Sequence, residues 1–264
     1  MASNQSVAQH FDPEERAFVA QAIDWLEMVE NDYRIILTHF LNPRERHIVM
    51  TVLGDQMPIQ VQEEGLFDRA EKARLVLAPD FMTIQEDDFD LCLLQLTFAK
   101  KFVTLRHKDL LGAFLSAGID RATFGDIVVD ANRGLAQVAV EKRYVPFIEQ
   151  EIQQVGKVSA NWQEVERNEA LVPEVQGEER LVLLPSLRLD AVIAACFGLS
   201  RTEAKSLIDG GFVAVNWSKA MACDRSVRLK DVISVRKQGR ICLQSLAGHS
   251  KRDKIKAVFQ IIRR

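Results

Sequence analysis

Arg188 to Trp217 read R-L-D-A-V-I-A-A-C-F-G-L-S-R-T-E-A-K-S-L-I-D-G-G-F-V-A-V-N-W, and this stretch decides the C-terminal fold. Leu189, Val192, Ile193 and Cys196 recur at helical spacing, and Gly198 stands where a helix end needs a residue tolerant of positive φ, so a first helix stops at Phe197. Ser200 followed by Glu203 is a capping box. Ala204, Leu207 and Ile208 form the next buried stripe, and Gly210-Gly211 closes that second helix. Phe212, Val213 and Val215 then read as a strand leading into a turn at Asn216. Arg201 and Lys205, four apart, share one face of the second helix, away from its apolar stripe. Arg188 puts a cation at a helix start, where the macrodipole disfavours it, which points to a partner for its guanidinium. Either the three are ordinary solvated cations, or they face an anionic ligand.

Charge along the chain favours the ligand. Residues 178–264 hold 17 Lys and Arg against 8 Asp and Glu, a balance of +9, and residues 1–177 hold 17 against 29, a balance of −12. A basic module behind an acidic body is the footprint of a polyanion-binding domain, unless it docks on the acidic half of its own chain. The length of 264 residues allows two or three domains, and 47% hydrophobic with 27% charged residues is ordinary for a globular protein. No apolar run approaches a membrane span, and residues 1–10 lack the basic and apolar regions of a secretory signal. Cys92, Cys196, Cys223 and Cys242 show no C-x-x-C spacing and the five histidines no paired grouping, so a reducing cytoplasm without disulfides, metal or other cofactor is expected.

Upstream, Asp12-Pro13-Glu14-Glu15 predicts a helix start, with Phe18, Ala22, Trp25, Leu26 and Val29 facing inward to about Glu30. A short helix is expected over 33–40, another from Pro43 to near Gly54, strands over 58–62 and 74–77, and a helix over 67–72 between them. From Phe89 the order becomes informative: strand 89–98, helix 108–117, strand 126–129, a tight turn at 130–134, strand 135–140, helix 141–154 and strand 158–162. That is βαββαβ, the ferredoxin-like split unit shared with RNA-recognition motifs, although the aromatic-rich signature whose rings stack on bases is missing. Residues 166–180, polar and punctuated by Pro173 and Gly177, read as a linker. Beyond it come a strand at 181–184, Ser186 as cap of the first helix, Ser218-Lys219 in a turn, a hairpin of 232–236 with 241–246 bending at 237–240, a basic loop at 248–254 and a closing strand at 255–262. The expected class is α+β, with domains at 1–82 (mostly helical), 83–166 (ferredoxin-like) and 181–264 (basic), the linker being 167–180.

His107 with Asp109 and Asp126 has the composition of a general base between carboxylates, but the better account places His107 and Asp109 at a helix N-terminus. No nucleophile elbow, P-loop or G-x-G-x-x-G occurs, so no catalytic residue and no small-molecule substrate are expected.

The run R-L-D-x-V-x-A, then G-L-S-R-x-x-A-x-x-L-I-x-x-G-x-V-x-V-N, resembles the RNA-binding domain named after ribosomal protein S4. With D-V-I-S-V-R-x-x-G-R from Asp231 to Arg240, it is most similar to the YlmH family of bacterial S4-domain proteins. Gly65-Leu66-Phe67 with Ala70-Glu71-Lys72-Ala73-Arg74 resembles that family's G-G-Y-x-x-A-E-R-x-R, departing at Leu66 and Ala73, and 105–112 resembles its L-T-H-x-D-x-L-G. The resemblance implies that the paired helices lie on structured RNA, with Arg188, Ser200, Arg201 and Lys205 against phosphates. Asn216, Lys219, Arg236, Lys237, Arg240, Lys251 and Arg252, in the turn, bend and loop, are further contact candidates, and Arg69, Lys72 and Arg74 weaker ones. It implies partners on the large ribosomal subunit, rRNA and peptidyl-tRNA left after a stall, in ribosome-associated quality control, and a link to cell division. Two other classes stay open: an RNA-modifying enzyme or its targeting subunit, for which no catalytic signature is found upstream, and a scaffold binding an acidic protein. Neutralising Arg188, Arg201 and Lys205 is expected to remove RNA binding and leave the melting temperature unchanged.

Overall fold

The computed structural model describes residues 11, 13–54, 57–173, 177–250 and 253–263; Asp12, Lys251 and Arg252 lie outside them. The chain forms two compact units, Met1–Pro173 and Glu174–Arg264. No helix among the described residues is long and apolar enough to cross a membrane.

In the first unit, helix α1 (Arg16–Asp32) follows a 3-10 turn at Pro13–Glu15 and buries Val19, Ala22, Leu26 and Val29, the stripe its spacing dictates. Helix α2 (Pro43–Leu53) starts at Asn42, whose side chain accepts from the Arg44 and Glu45 amides while Glu45 reaches back to the Asn42 amide. Both pack on a sheet of β1 (Ile36–Leu37), β2 (Ile59–Glu64) and β3 (Arg74–Pro79), ordered β1-β3-β2. Two expected helices are absent here. Residues 33–40 hold no helix: Tyr33 is left-handed and Ile36–Leu37 are strand, because the buried β3 offers a free edge, and Thr38 donates its amide to Leu75 O at 2.9 Å while its hydroxyl oxygen accepts from the Leu75 amide at 2.9 Å. Residues 66–72 form turns, with Leu66 and Arg69 left-handed at φ 68° and 55°. A Cβ on Gly65 would stand 2.4 Å from the Ala70 Cβ, so the chain folds tightly back at this glycine.

The unit continues as β4 (Leu91–Thr97), α3 (His107–Ser116), β5 (Phe124–Asp130), β6 (Leu135–Glu141), α4 (Val145–Glu151), a small ladder of β7 (Gln154–Val155) with β8 (Val158–Ser159), and β9 (Trp162–Val165). The sheet order β5-β6-β4-β9, antiparallel throughout, is the ferredoxin-like arrangement. The expected last strand sits a few residues late: Val158 belongs to the small ladder, and Trp162 begins the edge strand that pairs with β4. Alternation along the strands gives the sheet two apolar faces. Cys92, Leu94, Leu96, Val138 and Val140 meet Leu110, Phe114 and Ile148 of the helices, whereas Leu93, Val128 and Ala139 meet Phe40, Phe67 and Leu171.

The described residues of the expected linker are therefore largely structured. Arg167–Glu169 form a 3-10 turn, Leu171 is buried, and the buried Gln137 accepts from the Leu171 amide at 2.7 Å and donates to Glu169 O at 3.0 Å.

In the second unit, β10 (Glu178–Leu184), α5 (Leu189–Phe197), α6 (Arg201–Asp209), β11 (Val213–Val215), β12 (Ser218–Lys219), β13 (Val232–Val235), β14 (Gly239–His249) and β15 (Ile255–Arg263) form a sheet ordered β10-β15-β14-β13-β11-β12. Val192, Ile193, Cys196, Ala204 and Ile208 from the helices share a core with Ile233, Ile241 and Phe259. Ser218-Lys219 are strand, not turn. The turn is Asn216-Trp217, both at positive φ (50° and 64°), as a two-residue hairpin of right-handed twist requires. The expected basic loop is shorter than 248–254, since β14 runs through His249.

Candidate nucleic-acid interface

The start of α5 is held by main chain rather than by Ser186. Its preceding residue is Arg188, the Leu189 amide donates to Arg225 O at 2.9 Å and the Asp190 amide to Cys223 O at 3.1 Å, while Val227 donates to Leu187 O at 2.8 Å. Segment 223–227 thus lies along the entry to α5 and satisfies N–H groups that a helix start leaves without partners. Gly198, left-handed at φ 74°, ends α5, and the Ser200/Glu203 capping box starts α6 at once. These two short-range signals bring the first turns of the helices together.

Asp190 lies between them, 5% exposed. Its carboxylate accepts from Arg188 Nε and Nη2 at 3.3 and 3.2 Å, from Arg201 Nη2 at 2.6 Å and from the Ala191 amide at 2.8 Å. Burial pushes this carboxyl up, but hydrogen bonds and charge from Arg188 and Arg201 outweigh burial and hold Asp190 below the usual carboxylate range. The same bond raises Arg188. Two guanidiniums on one carboxylate leave a net positive charge, and their side chains are 45% and 49% exposed, so N–H donors of both remain open to solvent. Lys205, exposed one turn further along α6, makes no ion pair within 4.0 Å among the described residues. The result is a fixed pair of planar donors with a flexible point charge beside them, a combination suited to phosphate oxygens.

The remaining expected contacts divide. The Ser200 oxygen is committed to capping, accepting from the Glu203 amide at 3.1 Å. Asn216 is a structural tie: its amide donates to Asp231 Oδ1 and accepts from the Val232 amide, both at 2.8 Å. Lys219 runs against Gly211, at the end of α6. Arg236 lies over the Phe212 ring at 5.8 Å and Arg240 over Trp217 at 5.8 Å, while Lys237 is exposed at the left-handed corner of the bend. Two cations that the charge balance counted are spent inside the unit: Arg180 donates to Ala195 O at 3.1 Å and to Cys196 O, and Arg263 to Cys196 O at 3.1 Å, at the carbonyl end of α5. Spacing alone does not single out Asp190; its signal is an acid two residues after one arginine and eleven before another.

A family model described as "YlmH, N-terminal" matches residues 14–82, and one described as "Putative RNA-binding domain in YlmH" matches residues 85–169. A curated relative from Bacillus subtilis (strain 168), "Ribosome-associated protein quality control protein P2", is 36% identical over 254 residues, 96% of this chain and 98% of that one. The chain belongs to the YlmH family. A solved structure, "Cell division protein ylmH from Streptococcus pneumoniae", matches with a TM-score of 0.52 at 28% identity, covering 61% of this chain and 97% of that one.

In the first unit the 65–74 motif is tied to β5 and the turn before it. Asp126 accepts from the Glu71 and Lys72 amides at 2.6 and 3.2 Å, Lys72 Nζ donates to Arg121 O at 3.2 Å, and His107, lowered chiefly by burial and then by Arg121, shares this cluster. Leu66, where the family motif has glycine, occupies a left-handed position that glycine fits without strain. Arg74 is not a nucleic-acid contact. It is 5% exposed and donates to Thr38 O, Phe89 O and Asp90 O at 2.7, 3.0 and 3.1 Å, tying β3 to the entry of β4. Lys72 is half-buried, whereas Arg69 is exposed. Among the described residues no group of three or more His, Cys, Asp or Glu could hold a metal ion.

Proposed function

We propose that this YlmH-family chain is a non-catalytic RNA-binding protein whose C-terminal unit, an S4-type domain, docks α5 and α6 on structured RNA of the large ribosomal subunit and adjoining peptidyl-tRNA. Its role is in ribosome-associated quality control, the process for which the Bacillus subtilis relative is named. The observation that carries the reading is the Arg188–Asp190–Arg201 cluster: a buried carboxylate presents two half-exposed guanidiniums beside Lys205. An internal ion pair alone would need one arginine, and the second leaves a surplus positive charge facing solvent. Affinity then comes from counterion release, and selectivity from the shape of the RNA surface.

The acid–base groups of the first unit support a non-catalytic role, because Asp126 is held by two backbone amides and Asp109 by the Arg106 amide at 2.9 Å. Cell division, for which the Streptococcus pneumoniae protein is named, has no feature of this chain behind it. Sedimentation with separated ribosomal subunits tests the reading. Co-migration with the large subunit at low salt, lost at high salt and lost in the Arg188→Gln/Arg201→Gln/Lys205→Gln variant, is expected; co-migration unchanged in that variant overturns it.

A further inference from the structure

The face of a ferredoxin-like sheet on which RNA-recognition motifs stack bases is closed in the first unit: Leu93, Val128 and Ala139 are covered by Phe40, Phe67 and Leu171. Any RNA contact by this unit must come from elsewhere on it, and one feature outside the C-terminal cluster has the right chemistry. The connection from β4 to α3 and the first turn of α3 carry Lys100, Lys101, Arg106 and Lys108 with no acid between Thr97 and Lys108, in the part of the chain whose balance is −12. At the tip of the connection Phe102 is 86% exposed, the most exposed large apolar side chain among the described residues.

Single exposed apolar residues are common and carry nothing by themselves. This ring, however, is held outward by its surroundings. The Phe102 and Val103 amides donate to Ala99 O at 2.9 and 3.2 Å, forming a turn, with Phe98 buried before the ring and Val103 packed on the core and Leu105 buried after it, so both flanks are anchored inward. The β5–β6 turn is fastened to the same place: Phe98 donates to Gly134 O at 2.8 Å, a Cβ on Gly134 would stand 2.5 Å from Phe98 O, and Lys100 Nζ donates to Asn132 O. Arg133, 65% exposed and 4.0 Å from Asp130, is thereby brought beside the lysines. An outward ring with Lys100, Lys101 and Arg133 beside it is the combination by which single-stranded nucleic acid is bound, bases on the aromatic face and phosphates on the cations.

We infer that the Phe102 loop is a second RNA contact, taking an unpaired base on the Phe102 ring with the adjoining phosphates on Lys100, Lys101 and Arg133. The inference rests on the RNA-binding reading above but uses a different surface, so the two can fail separately. Binding of the full chain to a fluorescein-labelled twelve-nucleotide oligouridine tests it. Phe102→Ala is expected to weaken binding about tenfold, within the range for one stacked base, at an unchanged melting temperature. Phe102→Trp is expected to retain affinity and to show indole emission quenched by the RNA, over the emission of the native tryptophans. The same Phe102→Ala loss is expected in the Arg188→Gln/Arg201→Gln/Lys205→Gln background, which isolates this contact from the C-terminal face. No oligouridine binding by the unmodified chain, or wild-type affinity of Phe102→Ala in both backgrounds, overturns the inference. So does an indole emission at position 102 that responds to a protein partner and not to RNA.

Discussion

Arg201 Nη2 stands 2.6 Å from Asp190 Oδ2, eleven residues away, and Arg188 holds the same oxygen at 3.2 Å. The carboxylate is the fixed point of this face, and the arginines are oriented by it. Asp190→Asn keeps an acceptor for the Ala191 amide but removes the charge that holds the two guanidiniums together. Stability is expected to fall by about 1–2 kcal/mol, the value for hydrogen bonds to a charged group reduced by screening at the half-exposed arginines. RNA affinity is expected to fall too, although a negative charge has been removed. Tighter RNA binding by Asp190→Asn in a titration would show that the acid opposes the ligand instead of aligning the arginines.

Because Asp190 titrates below the usual carboxylate range in the folded chain, its contribution is fully present above its unfolded pKa and is lost as pH falls through the folded one. Thermal unfolding followed from pH 7 down to pH 3 is expected to show this loss only at the acid end, below about pH 4. The Asp190→Asn variant is expected to lack that part of the acid dependence.

Charge removal at the arginines is expected to cost stability, where spacing alone predicts no effect. Arg188→Ala with Arg201→Ala strands a buried carboxylate, so the melting temperature is expected to drop, whereas glutamine at both positions retains donors to Asp190. In the glutamine series the log–log salt slope of RNA binding is expected to shrink by roughly 0.7–0.9 for each phosphate no longer neutralised.

Asn216 separates contact from scaffold. Asn216→Ala removes both hydrogen bonds to the 231–232 segment and places alanine at φ 50°, for an expected loss of about 2 kcal/mol in chemical denaturation. The salt slope of the folded fraction is expected not to change. Arg74→Ala is expected to behave likewise in the first unit, where Thr38 O, Phe89 O and Asp90 O lose the guanidinium, Asp90 O keeping the Lys142 amide, and stability is expected to fall by about 3 kcal/mol.

Burial pushes the Cys92 and Cys196 thiols up to about 12, so both stay protonated at neutral pH. Iodoacetamide on the native chain at pH 8, read by peptide mass spectrometry, is expected to leave both unmodified until denaturant is added.

How much is legible follows the range of the interaction. The capping box at Ser200, the Gly198 stop and the stripes of α5 and α6 are signals within four residues, and each stands in the structure. The βαββαβ order is legible for the same reason, element by element. Residues 33–40 have a helical pattern but not a helical structure, because their conformation is set by the edge of β3, more than thirty residues on. Residues 67–72 have helical composition, but their path is set by the close approach at Gly65 and by Asp126, which takes the Glu71 and Lys72 amides from another strand.

The sequence by itself determined the helix pair, the order of the elements, the charge asymmetry and the family motifs, because each depends on neighbours in the chain or on composition alone. Only the tertiary structure decided which cations face solvent. Arg74, Arg180 and Arg263 are drawn to carbonyls, Arg188 and Arg201 share Asp190, and the sheet face between Leu93 and Val128 is covered by Phe40 and Phe67. The use of a charge is settled by the groups that packing brings within hydrogen-bond reach, and those groups lie far apart along the chain.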